Sequence, residues 1–424
     1  MSQATRILIA LAGGLILGIA LSWWAPAADV ALLAVTEPVG TIWLHGLQMT
    51  IVPLVVGLLV CGIAATAEAA RASRLATRAL AVFIALLWTS SALAAAIMFG
   101  LLDLFPLSPD AAAALKGAVA SAGEVGKVPP FAEFLVAMVP TNPLSAAAND
   151  QFLPLIVFTV AFGFAVTRLP EEPRKLITAV FQAIADTMLI VIGWVLWLAP
   201  VGVFALAFTV GAKAGGAAFG ALLHYVFVIT ATGAGVTLLV FPVALIGGRL
   251  SIGAYLRAMT QPAAVAVSTQ SSLASLPAML RATEKLGVPV ATSGVVLPLA
   301  VAIFRFTGPA MNLAVALYVA HIFGVQLTAG QIAIGIAAAA VTTMGAVSLP
   351  GTISFVSSIA PIALAMGLPI GPLALLVAVE TFPDIMRTLG NVAMDVAATS
   401  AIARRSGTGD AMTEADAILA EAPQ

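Results

Sequence analysis

The sequence predicts an all-α membrane protein with eight transmembrane helices and two re-entrant helical hairpins. Three observations carry that expectation: the composition, the rhythm of the basic residues, and two polar interruptions that resemble each other. Of the 424 residues, 61% are hydrophobic and 9% are charged, and the mean hydropathy is +1.11. Soluble domains carry about 25% charged residues, so a water-facing surface cannot be assembled here. That excludes a soluble enzyme and a disordered chain, and a net charge of −1 offers no field for nucleic acid. The single cysteine, Cys61, forbids an internal disulfide framework or a Cys-rich metal site.

Basic residues fall in groups at Arg6, Arg71–Arg78, Arg168–Lys175, Arg249–Lys285 and Arg404–Arg405. Spans of about 20 apolar residues cross a bilayer, and Lys/Arg-rich connections stay in the cytoplasm. Both termini are therefore expected on the cytoplasmic face of the cell membrane. Lys116, Lys127 and Lys213 lie outside the groups, and Arg305 and Arg387 lie inside apolar segments. The spans are expected near 7–24, 40–67, 77–103, 152–167, 177–210, 218–247, 291–323 and 370–402. The first is long for a signal-peptide core and only Arg6 precedes it, so it is read as a span. The Pro/Gly-punctuated stretch 106–149 predicts irregular or broken helices. The polar segment 406–424 predicts a frayed cytoplasmic tail.

Two apolar stretches resist assignment as single helices. Near 255–290 the centre reads Ser268-Thr269-Gln270-Ser271-Ser272-Leu273-Ala274-Ser275-Leu276-Pro277, and near 329–366 it holds Thr342-Thr343-Met344-Gly345-Ala346-Val347-Ser348-Leu349-Pro350-Gly351-Thr352. Hydroxyls, Gly and Pro at mid-depth leave backbone groups unpaired, and lipid cannot satisfy them. Each tip is followed by an apolar segment carrying one arginine. Paired re-entrant hairpins of this kind mark a transporter with internal repeats and a binding site near the midplane. Glu380, Asp384, Arg387, Thr388, Asn391 and Asp395 fall within about 100° of helical arc on the last span. Charge at the bilayer centre costs roughly 2.5–3.5 kcal/mol per residue, so this stripe needs partners or a wet cavity. A self-satisfied ion-pair network and a binding site are the two readings; Thr388, Asn391 and the two hairpins favour the site.

The stripe Asp384-x-x-Arg387-Thr388-x-x-Asn391-x-x-x-Asp395 resembles the last helix of the glutamate transporter family, the dicarboxylate/amino acid:cation symporters. The two tips resemble that family's hairpins. Met49-Thr50-Ile51-Val52-Pro53-Leu54, Pro140-Thr141-Asn142-Pro143 and Leu198-Ala199-Pro200-Val201-Gly202-Val203-Phe204 extend the likeness along the chain. The resemblance implies a homotrimer of elevator transporters with inverted repeats, each protomer one polytopic domain over 1–405. A scaffold would lie mainly within 1–75 and 104–215, and a mobile transport part within 76–103 and 216–405. Arg387 would pair with a substrate carboxylate and Asp384 would take an amino group, helped by Thr388 and Asn391. Ser272, Leu349 and Pro350 would add backbone contacts from the tips, the second hairpin serving as the outward gate. An amine-binding Asp beside an anion-binding Arg favours glutamate or aspartate over a C4-dicarboxylate. No cofactor is implied. An uncoupled facilitator or anion channel, and a sensor that binds without transporting, are the rival readings.

The sequence departs from the family in the penultimate span. Where the family carries an Asn-Met-Asp-Gly-Thr run that ligates sodium, this chain reads Phe304-Arg305-Phe306-Thr307-Gly308. Phenylalanine offers a hard cation no oxygen. Asn391 and Asp395, with Thr89 and Ser90 on an earlier span, are what remains of a cation site. Arg305 is expected to act as a tethered surrogate for the coupling cation, neutralising Asp395 or the substrate. Proton coupling or exchange then replaces sodium coupling, with Glu380 as the candidate proton carrier. Pro309 cannot donate to the Arg305 carbonyl, so a break in the helix is expected there. His45, His224 and His321 are read as packing or interfacial residues.

Overall fold

Backbone groups in hydrocarbon must bond within their own segment, and this chain meets that requirement with helices. The computed structural model describes residues 3–72, 74–108, 112, 136, 139–149, 151–214, 217–345 and 351–420, and contains no strand among them. The expectations for Lys116, Lys127 and most of the 106–149 stretch lie outside the described residues. Six segments are long and apolar enough to cross a membrane: Thr5–Trp24, Ala28–Glu68, Arg74–Leu104, Glu171–Trp197, Phe219–Gly247 and Val290–Phe323. Every expected span holds helix, although several are divided.

The divisions follow proline. The second span is α1's neighbour: after α1 (Gln3–Trp24) come α2 (Pro26–Gln48) and α3 (Ile51–Ala72), parted where Pro53 cannot donate to the Met49 carbonyl. Next come α4 (Arg74–Leu104), the short α5 (Pro143–Ala148) and α6 (Phe152–Val166). The stretch expected over 177–210 is split into α7 (Glu171–Trp197) and α8 (Ala199–Ala214), with Pro200 just past the join. α9 (Ala217–Thr237) continues through a short irregular helical stretch to Gly247.

The first hairpin is α10 (Ile252–Thr269) and α11 (Ser272–Lys285). At its tip Gln270 adopts a left-handed conformation (φ 51°), and the Ser271 side chain accepts a hydrogen bond from the Ala274 amide. α12 (Val290–Ile303) and α13 (Thr307–Phe323) form the penultimate span, broken at Phe304–Phe306 where Pro309 predicts. The second hairpin is α14 (Ala329–Gly345) and α15 (Gly351–Ala365). The last span, expected as one helix, is α16 (Gly371–Leu376) and α17 (Thr381–Ala420). Pro383 lacks the donor for the Val379 carbonyl, so residues 377–380 turn instead. The backbone stays helical to Ala420, where a frayed tail is expected; its Ala- and Glu-rich composition favours helix.

Small residues set the closest packings. A Cβ on Gly14 would stand 2.5 Å from the Phe204 carbonyl oxygen, and one on Gly211 2.4 Å from that of Leu15. α1 and α8 therefore touch backbone to backbone, as membrane helices without a hydrophobic driving force between them often do. One apolar cluster joins α1–α3 and α7–α9 to α13–α16. A second joins α4, the first hairpin, α12 and the middle of α17. α17 threads between the two, and its closest approach is at Gly390. A Cβ there would stand 2.4 Å from Thr307 Cγ2 and 2.5 Å from Thr237 Oγ1. Gly390→Ala is expected to cost about 1–3 kcal/mol through overpacking, read as a lower melting temperature of the purified protein. An unchanged melting temperature would show that the contact yields freely.

Candidate functional site

The breaks in the last two spans both meet the polar stripe at the start of α17, one through Thr307 and the other through Glu380. Glu380 sits in the turn before α17 and is fully buried, while Arg387 is 4% exposed. Arg387 Nη1 donates to Glu380 Oε1 and to Asp384 Oδ1 at 3.0 Å. The other oxygen of Glu380 accepts from the Tyr225 hydroxyl at 3.0 Å. Tyr225 packs edge-on against Tyr318, whose hydroxyl lies 3.0 Å from His224 Nδ1 and 3.1 Å from the Ala221 carbonyl oxygen. His224 Nε2 donates to the Phe105 carbonyl at 2.7 Å. That carbonyl can only accept, as can the Ala221 carbonyl to which the Tyr318 hydroxyl donates. His224 is thus a hydrogen-bonded packing residue, as expected; His45 and His321 lie exposed.

Thr307 begins α13 and presents a free backbone N–H at the break. Asn391 Oδ1 accepts from it at 2.8 Å and lies 2.7 Å from the Thr307 hydroxyl, which also reaches the Arg387 carbonyl at 2.6 Å. Asn391 therefore caps a half-helix across the interface between two spans. The capping oxygen is consumed in that role.

A small cavity opens beside this network, lined by Arg305, Gly308, Asn312, Thr343, Phe355, Ser358 and Arg387. Arg387 Nε and Nη2, and Thr343 Oγ1, are buried without a hydrogen-bond partner among the described residues. The guanidinium is thus held at one end and open at the other. Both predicted intramembrane arginines face this cavity, and the electrostatic neighbours of Arg305 are Asp384 and Arg387.

Thr388 is buried on the same helix face. Ser272 begins α11, turned inward with 8% exposure, and α11 packs against α17. Leu349 and Pro350 lie outside the described residues; α14 and α15, which flank them, bring Thr343 and Ser358 to the cavity. Asp395 is buried and neither of its carboxylate oxygens has a hydrogen-bond partner among the described residues. Thr89 is exposed, and its hydroxyl donates to the Ala85 carbonyl; Ser90 is buried and donates to Leu87. Phe304 stacks on Phe83 of α4, ring centroids 4.3 Å apart and planes within 7°, and Phe306 is fully buried beside it.

Sequence reasoning omits Tyr225, Asn312, Thr343 and Ser358 from the site. Asn312 carried a signal: Arg305, Gly308 and Asn312 are spaced by three and four, a helical face. Tyr225 carried a weaker one as one of only three tyrosines in the chain.

A buried carboxylate–guanidinium cluster at two helix breaks, flanked by two re-entrant hairpins, defines a multi-pass membrane transporter rather than an enzyme. Residues 4–405 match the model of the sodium:dicarboxylate symporter family, and the chain belongs to that family. It is 28% identical to the proton/glutamate-aspartate symporter of Escherichia coli (strain K12), covering 95% of this chain and 92% of that protein. It is 28% identical to the proton/sodium-glutamate symport protein of Bacillus caldotenax, covering 92% of this chain and 91% of that one. It is 30% identical to C4-dicarboxylate transport protein 2 of Ralstonia nicotianae, covering 94% and 88%. The chain is a transporter of dicarboxylates or acidic amino acids.

Tyr225→Phe removes the only donor to Glu380 Oε2 described here. The expected result is a protein that still purifies from the membrane but binds its substrate roughly ten- to a hundredfold more weakly, the worth of one charge-assisted hydrogen bond. Unaltered affinity would show that Tyr225 does not position the Glu380–Arg387 pair.

Proposed function

We propose that this chain is a sodium-independent secondary transporter of small acidic metabolites, glutamate and aspartate among them, in the cell membrane. The observation that carries this reading is the half-held state of Arg387. Glu380 and Asp384 fix Nη1, while Nε and Nη2, the side-on fork of the guanidinium, are buried without a partner among the described residues, and Arg387 lines the cavity. That fork matches a carboxylate bidentately. Asp384 and Thr388 lie on the same helix face, and the family resemblance assigns backbone contacts from the hairpin tips to Ser272, Leu349 and Pro350. Asn391 contributes by capping the Thr307 amide at the break.

Sodium independence is supported by the aromatic filling at Phe83, Phe304 and Phe306, which presents no oxygen to a hard cation. A buried carboxylate without a partner demands a proton or a cation, and Asp395 is such a group among the described residues. In this proposal Asp395 and Glu380 carry the proton chemistry, and exchange is the alternative mode. The mobile part, 76–103 and 216–405, moves the loaded site against the scaffold as an elevator, with both termini cytoplasmic and three protomers assembled. The joint passage of α14 and α15 against α3 supports a sliding surface at that boundary.

Reconstituted vesicles test the reading. Labelled aspartate, glutamate and succinate should accumulate under a proton gradient or exchange against internal substrate, with no requirement for sodium. Arg387→Cys should abolish uptake of all three while the protein remains in the membrane. Asp395→Asn should keep substrate binding and lose proton-driven accumulation. Accumulation driven by sodium alone would overturn the coupling reading.

A further inference from the structure

The preference for an amino-acid substrate rests on Asp384 awaiting an ammonium group. The site surrounds that carboxylate with protein cations instead. Arg387 Nη1 donates to Asp384 Oδ1 at 3.0 Å, and Arg305 faces the same cavity as Arg387. With all four groups ionised, Arg305 and Arg387 balance Glu380 and Asp384. Without Arg305 the cluster would carry one uncompensated negative charge, which a substrate ammonium would neutralise. Aspartate and succinate differ by that one positive charge. Arg305 supplies it from the protein, from the break between α12 and α13.

We infer that Arg305 is a specificity-determining residue that stands in for a substrate amine, so that the site selects a dicarboxylate without an amino group over an acidic amino acid. This inference rests on the carrier reading above and narrows it. One carboxylate takes the open fork of Arg387. The second lies toward Arg305, where Asn312, Thr343 and Ser358 line the same cavity. Thr343 is 3% exposed, and its hydroxyl has no partner among the described residues, as expected of a donor reserved for a ligand. An ammonium brought into this space meets two guanidinium groups and a carboxylate already engaged, so like-charge repulsion acts against it. The position of Arg305 is secured by its surroundings. A Cβ on Gly308 would stand 3.3 Å from Arg305 Cβ and 3.4 Å from Thr343 Cγ2, so Gly308 is packed between the arginine's stem and the second hairpin.

Equilibrium binding to the purified full-length protein, with succinate and aspartate as probes, tests this. The wild-type protein is expected to bind succinate more tightly than aspartate. Arg305→Met should move the ratio of the two dissociation constants by roughly tenfold or more toward aspartate. Arg305→Lys keeps the charge and should keep the order of preference. Wild-type protein that binds aspartate more tightly overturns the inference and leaves the carrier reading standing. Succinate preference that survives in Arg305→Met overturns the role of Arg305. Binding of neither probe overturns the carrier reading itself. If Arg305→Met does not fold, the wild-type ratio and Arg305→Lys decide.

Discussion

The buried polar network of this molecule depends on accommodating Arg387 inside an apolar bundle. An isolated charge there would cost several kcal/mol, so the chain surrounds it with Glu380, Asp384 and, through Glu380, Tyr225. Asp384 meets Arg387 within α17 at the ordinary i,i+3 spacing; Glu380 comes from outside that helix. Glu380 reaches Arg387 because the turn at 377–380 interrupts the last span, and that turn exists because Pro383 lacks an N–H. The penultimate span repeats the device with Pro309, and Asn391 closes the resulting gap by accepting from Thr307. Two prolines, one asparagine and one glycine at position 390 thus hold the ionic cluster in place.

The two halves of this arrangement share a plan. Each has a hairpin, then a short helix, a break carrying an ionisable residue, and a long helix. In the first half the break holds Arg305, and in the second Glu380. The charges at the two breaks are opposite, and each break approaches Arg387: Glu380 through an ion pair, Arg305 as its neighbour on the cavity wall. The tyrosine–histidine chain from Glu380 outward to Phe105 then ties the cluster to α4 and α9, which are outside either repeat.

Much of this was legible in the sequence because lipid leaves few solutions for polar groups. The stripe from Glu380 to Asp395 and the hairpin at Ser268–Pro277 stand out against an apolar background, and the break at Arg305 follows from Pro309. The division of the last span is not visible in the stripe, because periodicity does not register the donor that Pro383 lacks. Periodicity places Asn391 on the polar face but does not encode which backbone group its side chain meets, here the Thr307 amide. Tyr225 could not be assigned, because its partner lies 155 positions away and nothing local encodes that pairing. Thr343 and Ser358 were hidden for a related reason: hydroxyls are common in membrane helices, and only the packing of the second hairpin selects these two.

The stacked pair of Phe83 and Phe304 has a further consequence for the packing around the break. Their faces bury each other across α4 and the residue that ends α12, so an oxygen-bearing side chain at either position would strand a polar group against an aromatic face. The stack therefore works as an apolar clasp between α4 and the break before α13, and the two positions are coupled: a change at one alters the cost of a change at the other.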